Sequence, residues 1–261
     1  MSEETMFMFC LVAQTVVLGT LVMLMAQMLI HHRLSQMGAF YAFGITAMLL
    51  SDLYWIAYTL LEPGTRMPFA VNEIGECATF LLLGEAARTG IPNGRRICPR
   101  DVVLPALFMV CNTALWIAWS GEWVQDIFCG MTLCYYVVAV TCLLRQEDSR
   151  TRRYGVGFAL CAALLVTLQA ATFVAPEGMQ AALNAVLTVL TIGSLLLLIW
   201  ICVRAASTGA HAALALSFGG FGWAEFCMYM SEGVPYLLGG LSATLSLALM
   251  YLAIQRQVSA A

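Results

Sequence analysis

Residues 186–203 read VLTVLTIGSLLLLIWICV, a run of 18 residues without one charged side chain. A run of this length and apolarity is typical of a helix that crosses the hydrocarbon core of a bilayer. Similar stretches follow one another along the chain, so the sequence predicts an all-α polytopic transmembrane bundle of about nine spans. The predicted spans are residues 5–30, 39–62, 67–88, 102–119, 122–145, 154–175, 179–204, 211–231 and 235–255. Seven or eight spans are the alternatives, because the fourth apolar stretch is short and only a tight turn separates it from the fifth.

The composition favours a membrane protein and excludes several other classes. Hydrophobic residues make up 61% of the 261 residues and charged residues only 10%, whereas soluble domains are about half apolar and a quarter charged. All 12 basic residues are arginine, which excludes a retinal-type Schiff-base lysine and a P-loop lysine. The net charge of −3 argues against a nucleic-acid partner. The segment RQEDSRTRR (145–153) is predicted to be an interhelical loop.

The arginines indicate how the chain is oriented. They follow the first, third, fifth, seventh and ninth predicted helices, and Arg66 is the one exception. Because cytoplasmic loops are enriched in basic residues, we expect the N-terminus outside the cell membrane and the C-terminus inside. Each turn on the opposite side carries one glutamate: Glu62, Glu122, Glu177 and Glu232. Residues 1–261 thus form a single integral membrane domain, with one N-terminal helix and four helical hairpins. The hairpins resemble one another, because their returning helices end in LLGEAAR, VTCLLR, LIWICVR and LMYLAIQR. Internal duplication and the topology of antiparallel hairpins are the two alternative explanations.

Polar residues within the spans identify a candidate site. Residues 69–80 read FAVNEIGECATF, in which Glu73 and Glu76 lie in an otherwise apolar stretch. Lipid offers no hydrogen-bonding partners, so such groups should face one another or a water-filled cavity. At 1.5 Å per residue, most of the intramembrane polar groups lie between the midplane and the outer surface. The sequence therefore predicts an outward-facing polar pocket. Its candidate ligand-binding residues are Asp52, Trp55, Asn72, Glu73, Glu76, Asn112, Trp116, Trp223 and Glu225.

The residue types of this pocket suggest the class of ligand. Carboxylates beside aromatic rings suit a small organic cation or an amine. The alternative is that Asp52 and Glu76 serve only as hydrogen-bonding groups between helices. No nucleophile, base or metal cluster is visible at one depth, so we expect no catalytic residue, no cofactor and no metal. The ten cysteines are scattered singly and are predicted to be small hydrophobic residues.

The first 120 residues or so carry a known pattern. The second predicted helix ends in Trp55, Tyr58 and an acidic turn with Glu62, and the third is followed by Arg88-Thr89-Gly90. The fourth carries Asn112 near Trp116. These positions resemble the seven-helix membrane input region of bacterial sensor histidine kinases. The resemblance implies a sensor module that binds a small solute and signals through a cytoplasmic partner. The chain departs from that pattern in its nine predicted spans, and its 261 residues contain no kinase, cyclase or DNA-binding output.

A secondary transporter, or the membrane subunit of one, is the alternative function. In that case Asp52, Glu76 or Glu225 would bind the coupling proton or cation near the membrane midplane, where such sites lie in transporters.

Overall fold

The computed structural model describes residues 3–31, 34–62, 71–91, 98–205, 210–229, 231 and 233–260. Over these residues the chain forms nine α-helices and no strand, which confirms the predicted all-α bundle. The helices are α1 (Glu3–Ile30), α2 (Gln36–Leu61), α3 (Val71–Thr89), α4 (Pro99–Ser120), α5 (Trp123–Leu144), α6 (Ser149–Val174), α7 (Glu177–Ala205), α8 (Ala210–Tyr229) and α9 (Val234–Ala260).

Within these ranges, seven helices are long and apolar enough to cross a membrane: α1, α2, α4, α5, α6, α7 and α9. Helices α3 and α8 do not meet the same criterion of length and apolarity. Helix α3 carries three glutamates and an arginine in 19 residues. Helix α8 is the most enclosed of the nine, since almost every side chain from Ala213 to Cys227 is buried. The seven helices of span length make the protein a multi-pass membrane protein.

Several helix ends differ from the sequence prediction. Helix α6 begins at Ser149, so the predicted loop of residues 145–153 is helical in its second half. The cause is an N-cap: the Asp148 carboxylate accepts a hydrogen bond of 2.8 Å from the Thr151 backbone N–H. Hydrogen bonds from the side chain and then from the backbone N–H of Thr151 lower the pKa of Asp148 below its ordinary value. Helix α9 continues to Ala260, beyond the predicted end at residue 255. Residues 67–70 of the predicted third span lie outside the described residues.

Most helices pack against a neighbour in sequence, and α3 also packs closely against α5. Contacts join α2 with α3, α4 with α5, α6 with α7, and α8 with α9, while α1 packs against both α2 and α9. The end of the bundle at which α1, α3, α5, α7 and α9 finish is called here the arginine end, and the opposite one the acidic end. Buried hydrogen bonds also connect helices that are far apart in sequence. The Tyr41 hydroxyl donates to the Leu247 carbonyl at 2.7 Å, and the Tyr136 hydroxyl donates to the Phe218 carbonyl at 2.6 Å.

The close approach of α3 to α2 at Gly75 can be tested by substitution. A Cβ atom there would lie 2.9 Å from the Cβ of Ser51 and 3.1 Å from the Ala47 carbonyl oxygen. Neither atom is at the end of a flexible side chain, so the two helices would have to move apart. We expect Gly75→Ala to lower the free energy of unfolding by about 1–3 kcal/mol, measured by unfolding in detergent.

Gly193→Ala in α7 is the control for this substitution, because a Cβ atom there meets nothing within 4 Å. It should be neutral or slightly stabilising, since alanine is the better helix former. Equal stability of the Gly75 and Gly193 variants would contradict the close packing of α2 on α3.

Candidate functional site

Three carboxyl groups from three helices meet in the interior of the bundle. Asp52 of α2, Glu76 of α3 and Glu225 of α8 line a cavity of about 60 Å³. An adjoining cavity of about 220 Å³ shares Trp55, Glu76 and Glu225 with it. The two spaces together are called here the acidic cavity. Its polar and aromatic lining consists of Phe7, Gln14, Asp52, Trp55, Glu73, Glu76, Gln125, Glu225, Tyr229 and Tyr236.

The cavity lies toward the acidic end of the bundle. Its lining comes from the first halves of α1, α3, α5 and α9 and from the second halves of α2 and α8. These segments all approach the acidic end, because neighbouring helices run in opposite directions. The cavity is therefore on the side of the bundle for which the arginine distribution predicts exposure to the outside.

Asp52 belongs to a hydrogen-bonded bridge between three helices. Its side chain is only 6% exposed, and its Oδ2 accepts a hydrogen bond of 3.0 Å from Nε2 of Gln14. The Oε1 atom of Gln14 in turn accepts a hydrogen bond of 3.1 Å from the Thr244 hydroxyl. Gln14 of α1 thus connects α2 to α9 along one wall of the cavity.

The two glutamates differ in their partners. Glu76 accepts a hydrogen bond of 3.2 Å from the hydroxyl of Tyr229. Glu225 is 6% exposed, and its buried Oε1 atom makes no hydrogen bond within the described part of the chain. A buried carboxylate oxygen without a donor is costly. The lining of the acidic cavity contains no basic side chain from the described residues, so no arginine there compensates the carboxylates.

Aromatic rings form another part of the lining. The ring of Phe7 lies 5.2 Å from that of Trp55 and 5.7 Å from that of Tyr236, measured between ring centroids. Trp116 stacks on Tyr229 at a centroid distance of 4.9 Å. Carboxylates and ring faces together make the cavity suitable for a small cation.

The structure brings five of the nine predicted site residues into the acidic cavity: Asp52, Trp55, Glu73, Glu76 and Glu225. Trp116 does not line the cavity and reaches it only through its contact with Tyr229. Asn112 is fully buried outside the cavity lining, and its side-chain nitrogen and oxygen make no hydrogen bond among the described residues.

Trp223 lies in a different, apolar cavity, where its Nε1 donates a hydrogen bond of 3.2 Å to the hydroxyl of Ser194. The side chain of Asn72 lies outside the described part of the structure.

The sequence did not identify Gln14 and Tyr236 as residues of the acidic cavity. Gln14 is a polar residue within a long apolar helix, which is the same signal that identified Asn72. Tyr236 follows a turn closely, so its sequence position is equally typical of an interfacial aromatic residue.

The sulfur atoms of Cys77 and Cys129, which are far apart in sequence, lie 3.7 Å apart between α3 and α5.

Comparison of the chain with protein-family models, with curated proteins and with solved structures found no match. The class of the protein therefore follows from its sequence and fold. It is an integral, multi-pass membrane protein with an acidic cavity inside its helical bundle.

The bridge through Gln14 predicts a specific loss of stability. Gln14→Met keeps the approximate size of the side chain but removes the amide that donates to Asp52 and accepts from Thr244. We expect the free energy of unfolding to fall by about 1–3 kcal/mol, because buried polar groups lose their partners. Gln27→Met is the matched control, since Gln27 is an exposed residue of the same helix. If both variants unfold alike, the bridge does not stabilise the bundle.

Proposed function

We propose that this protein is a receptor-type membrane module that binds a small organic cation, such as a protonated amine, in the acidic cavity. The observation that supports this proposal is the meeting of Asp52, Glu76 and Glu225 in one cavity with no basic described side chain in its lining. An ammonium group would donate charge-assisted hydrogen bonds to these carboxylates. The rings of Trp55 and Tyr236 would add cation–π attraction.

The size of the cavity limits the ligand. Its larger part is about 220 Å³, below the roughly 300–1,000 Å³ of sites for drug-sized molecules. A cation with a few non-hydrogen atoms therefore fits better than a peptide or a large polyamine.

The bridge at Gln14 suggests how binding becomes a signal. A cation at Asp52 competes with the Gln14 amide for the same carboxylate oxygen, which is now 3.0 Å from Nε2. Loss of that hydrogen bond would free α1 to change its packing against α2 and α9. A ligand that binds one helix packing better than the other shifts the population toward it. A cytoplasmic partner would read the change at the arginine end.

The resemblance of the first 120 residues to sensor histidine kinase input regions supports the same function. The proposal also includes a location in the cell membrane, with the acidic end outside, as the arginine distribution predicts.

Neutralising Glu225 tests the binding site directly. Isothermal titration calorimetry of the protein in lipid nanodiscs would use methylamine, ethanolamine and tetramethylammonium, with acetate as the anionic comparison. We expect Glu225→Gln to weaken binding of the tightest of these cations about 10–100-fold, because a hydrogen bond to a charged group contributes roughly 1.5–3 kcal/mol.

The matched control is Glu177→Gln, the same substitution at an exposed glutamate of the acidic end that does not line the cavity. It should bind like the wild type. The proposal fails if acetate binds as well as the cations, or if the two variants bind the cations alike.

Cation-coupled transport is the second candidate function. It is favoured by the free Oε1 atom of Glu225, which is buried among apolar helices and available to bind and release a proton or a cation. Coupling ions bind near the midplane in many secondary transporters.

A flux measurement distinguishes the two functions. For the receptor we expect proteoliposomes with the protein to take up a radiolabelled cation from the same panel no faster than protein-free liposomes. Uptake that exceeds this background and is abolished by Glu76→Gln, but not by Glu177→Gln, would favour the transporter instead.

A further inference from the structure

A second cavity, of about 320 Å³, lies toward the arginine end between α4, α5, α6 and α8. It is called here the apolar cleft, and its walls include Leu104, Phe108, Val140, Phe158, Trp223 and Phe226. The centroids of Phe158 and Phe226 lie 5.2 and 5.4 Å from that of Trp223, so aromatic rings form one continuous wall. The volume is at the lower end of the range for small-molecule sites.

Charged side chains occupy the mouth of the apolar cleft. Arg100 lies in the first turn of α4, Arg145 follows α5, and Asp101 lies between the two arginines. The Nε atoms of Arg145 and Arg100 lie 3.2 Å and 3.9 Å from Oδ1 of Asp101. Two arginines and one aspartate leave one positive charge in excess. The side chain of Arg100 is 69% exposed and can turn toward a ligand.

The depth of the cleft matches one leaflet of a bilayer. Its lining on α4 extends from Arg100 to Met109, which spans roughly 14 Å at 1.5 Å per residue. This length is about half of the roughly 30 Å hydrocarbon core. A molecule with its head at Arg100 would therefore reach the middle of the membrane with its tail.

The rims of the cleft face the lipid. Leu104 on α4 is exposed, and so is Ala159 on α6. The floor on α8 contains Gly219, where even a Cβ atom would only come into ordinary contact, at 3.4 Å from Leu144 Cδ1. The exposed rims leave the cleft open at its side, where a chain can enter from the bilayer, and the floor at Gly219 has room for a further carbon atom.

We propose that the apolar cleft binds an acyl chain of an anionic phospholipid, whose phosphate lies at Arg100 and Arg145. Apolar walls favour a hydrocarbon chain over a polar solute, and arginines bind phosphate oxygens through paired hydrogen bonds. Basic pockets between transmembrane helices are a known means of selecting lipid headgroups. This site is separate from the acidic cavity and does not depend on the function proposed for that cavity.

Lipid retention tests this proposal. Delipidated protein in detergent would be incubated with equal amounts of phosphatidylglycerol and phosphatidylcholine of the same chains, and bound lipid would be measured by native mass spectrometry. We expect at least tenfold preference for phosphatidylglycerol. Arg100→Gln should reduce the preference about fivefold, the effect of one basic residue beside an anionic lipid. Ala159→Phe should reduce retention of both lipids, because the new ring fills the cleft.

Two matched controls accompany these variants. Arg152→Gln removes an exposed arginine of α6 that does not line the cleft, and Ala163→Phe adds a ring at an exposed position one turn further along the same helix. Both should retain lipid like the wild type. The proposal is overturned if the two lipids are retained equally, or if each control behaves like its cleft variant. Preferential retention of a fatty acid or a quinone from an added mixture would also overturn it.

A measurement on the wild-type protein makes the test independent of how the variants fold. Phosphatidylglycerol with a photoreactive diazirine on one acyl chain would be bound and irradiated, and the labelled residues would be identified by peptide mass spectrometry. Labels should concentrate on cleft residues such as Phe108, Val140 and Phe158. Labels spread evenly around the exposed surface of the bundle would contradict a defined site.

Discussion

The bundle is organised by the need to keep carboxyl groups away from hydrocarbon. Asp52, Glu76 and Glu225 lie within membrane helices, where lipid offers neither charge compensation nor hydrogen bonds. The chain has no lysine at all, and the described arginines lie away from the acidic cavity. Asp52 and Glu76 accept hydrogen bonds from Gln14 and Tyr229, whereas the buried Oε1 atom of Glu225 has no donor among the described residues. Helix α8, which carries Glu225, is enclosed by its neighbours from Ala213 to Cys227.

The helical fold was predictable from the sequence because most of the helices are long and apolar. Apolar runs separated by arginines or acidic turns located all nine described helices to within a few residues, because length and apolarity decide which segments enter a membrane. The helix ends were less predictable. The Asp148 carboxylate accepts a hydrogen bond from the Thr151 backbone N–H and so starts α6 inside a segment whose charges are typical of a loop. One capping residue changes the pattern of apolar and charged residues very little, but it decides where a helix begins.

The candidate site was predicted in part, because depth in the membrane can be read from the sequence but helix rotation cannot. Asp52, Glu76 and Glu225 were found by depth, and they meet. Trp223 has a similar depth but lies two residues before Glu225, which places it about 200° around a helix of 3.6 residues per turn. It therefore faces the apolar cleft, whereas Tyr229, four residues after Glu225, shares the face of the acidic cavity.

The position of α1 between α2 and α9 has a consequence for how the protein is made. Gln14 bonds to Thr244, which lies 230 residues further along the chain, and Tyr41 to Leu247, which lies 206 residues further. Synthesis proceeds from the N-terminal side, so α1 and α2 enter the bilayer long before α9 exists. During that interval the wall formed by α9 is missing, and the polar groups of Gln14 and Asp52 have only each other. The hydrogen bonds between Gln14 and Thr244 and between Tyr41 and Leu247 can therefore form only after the ninth helix has been made.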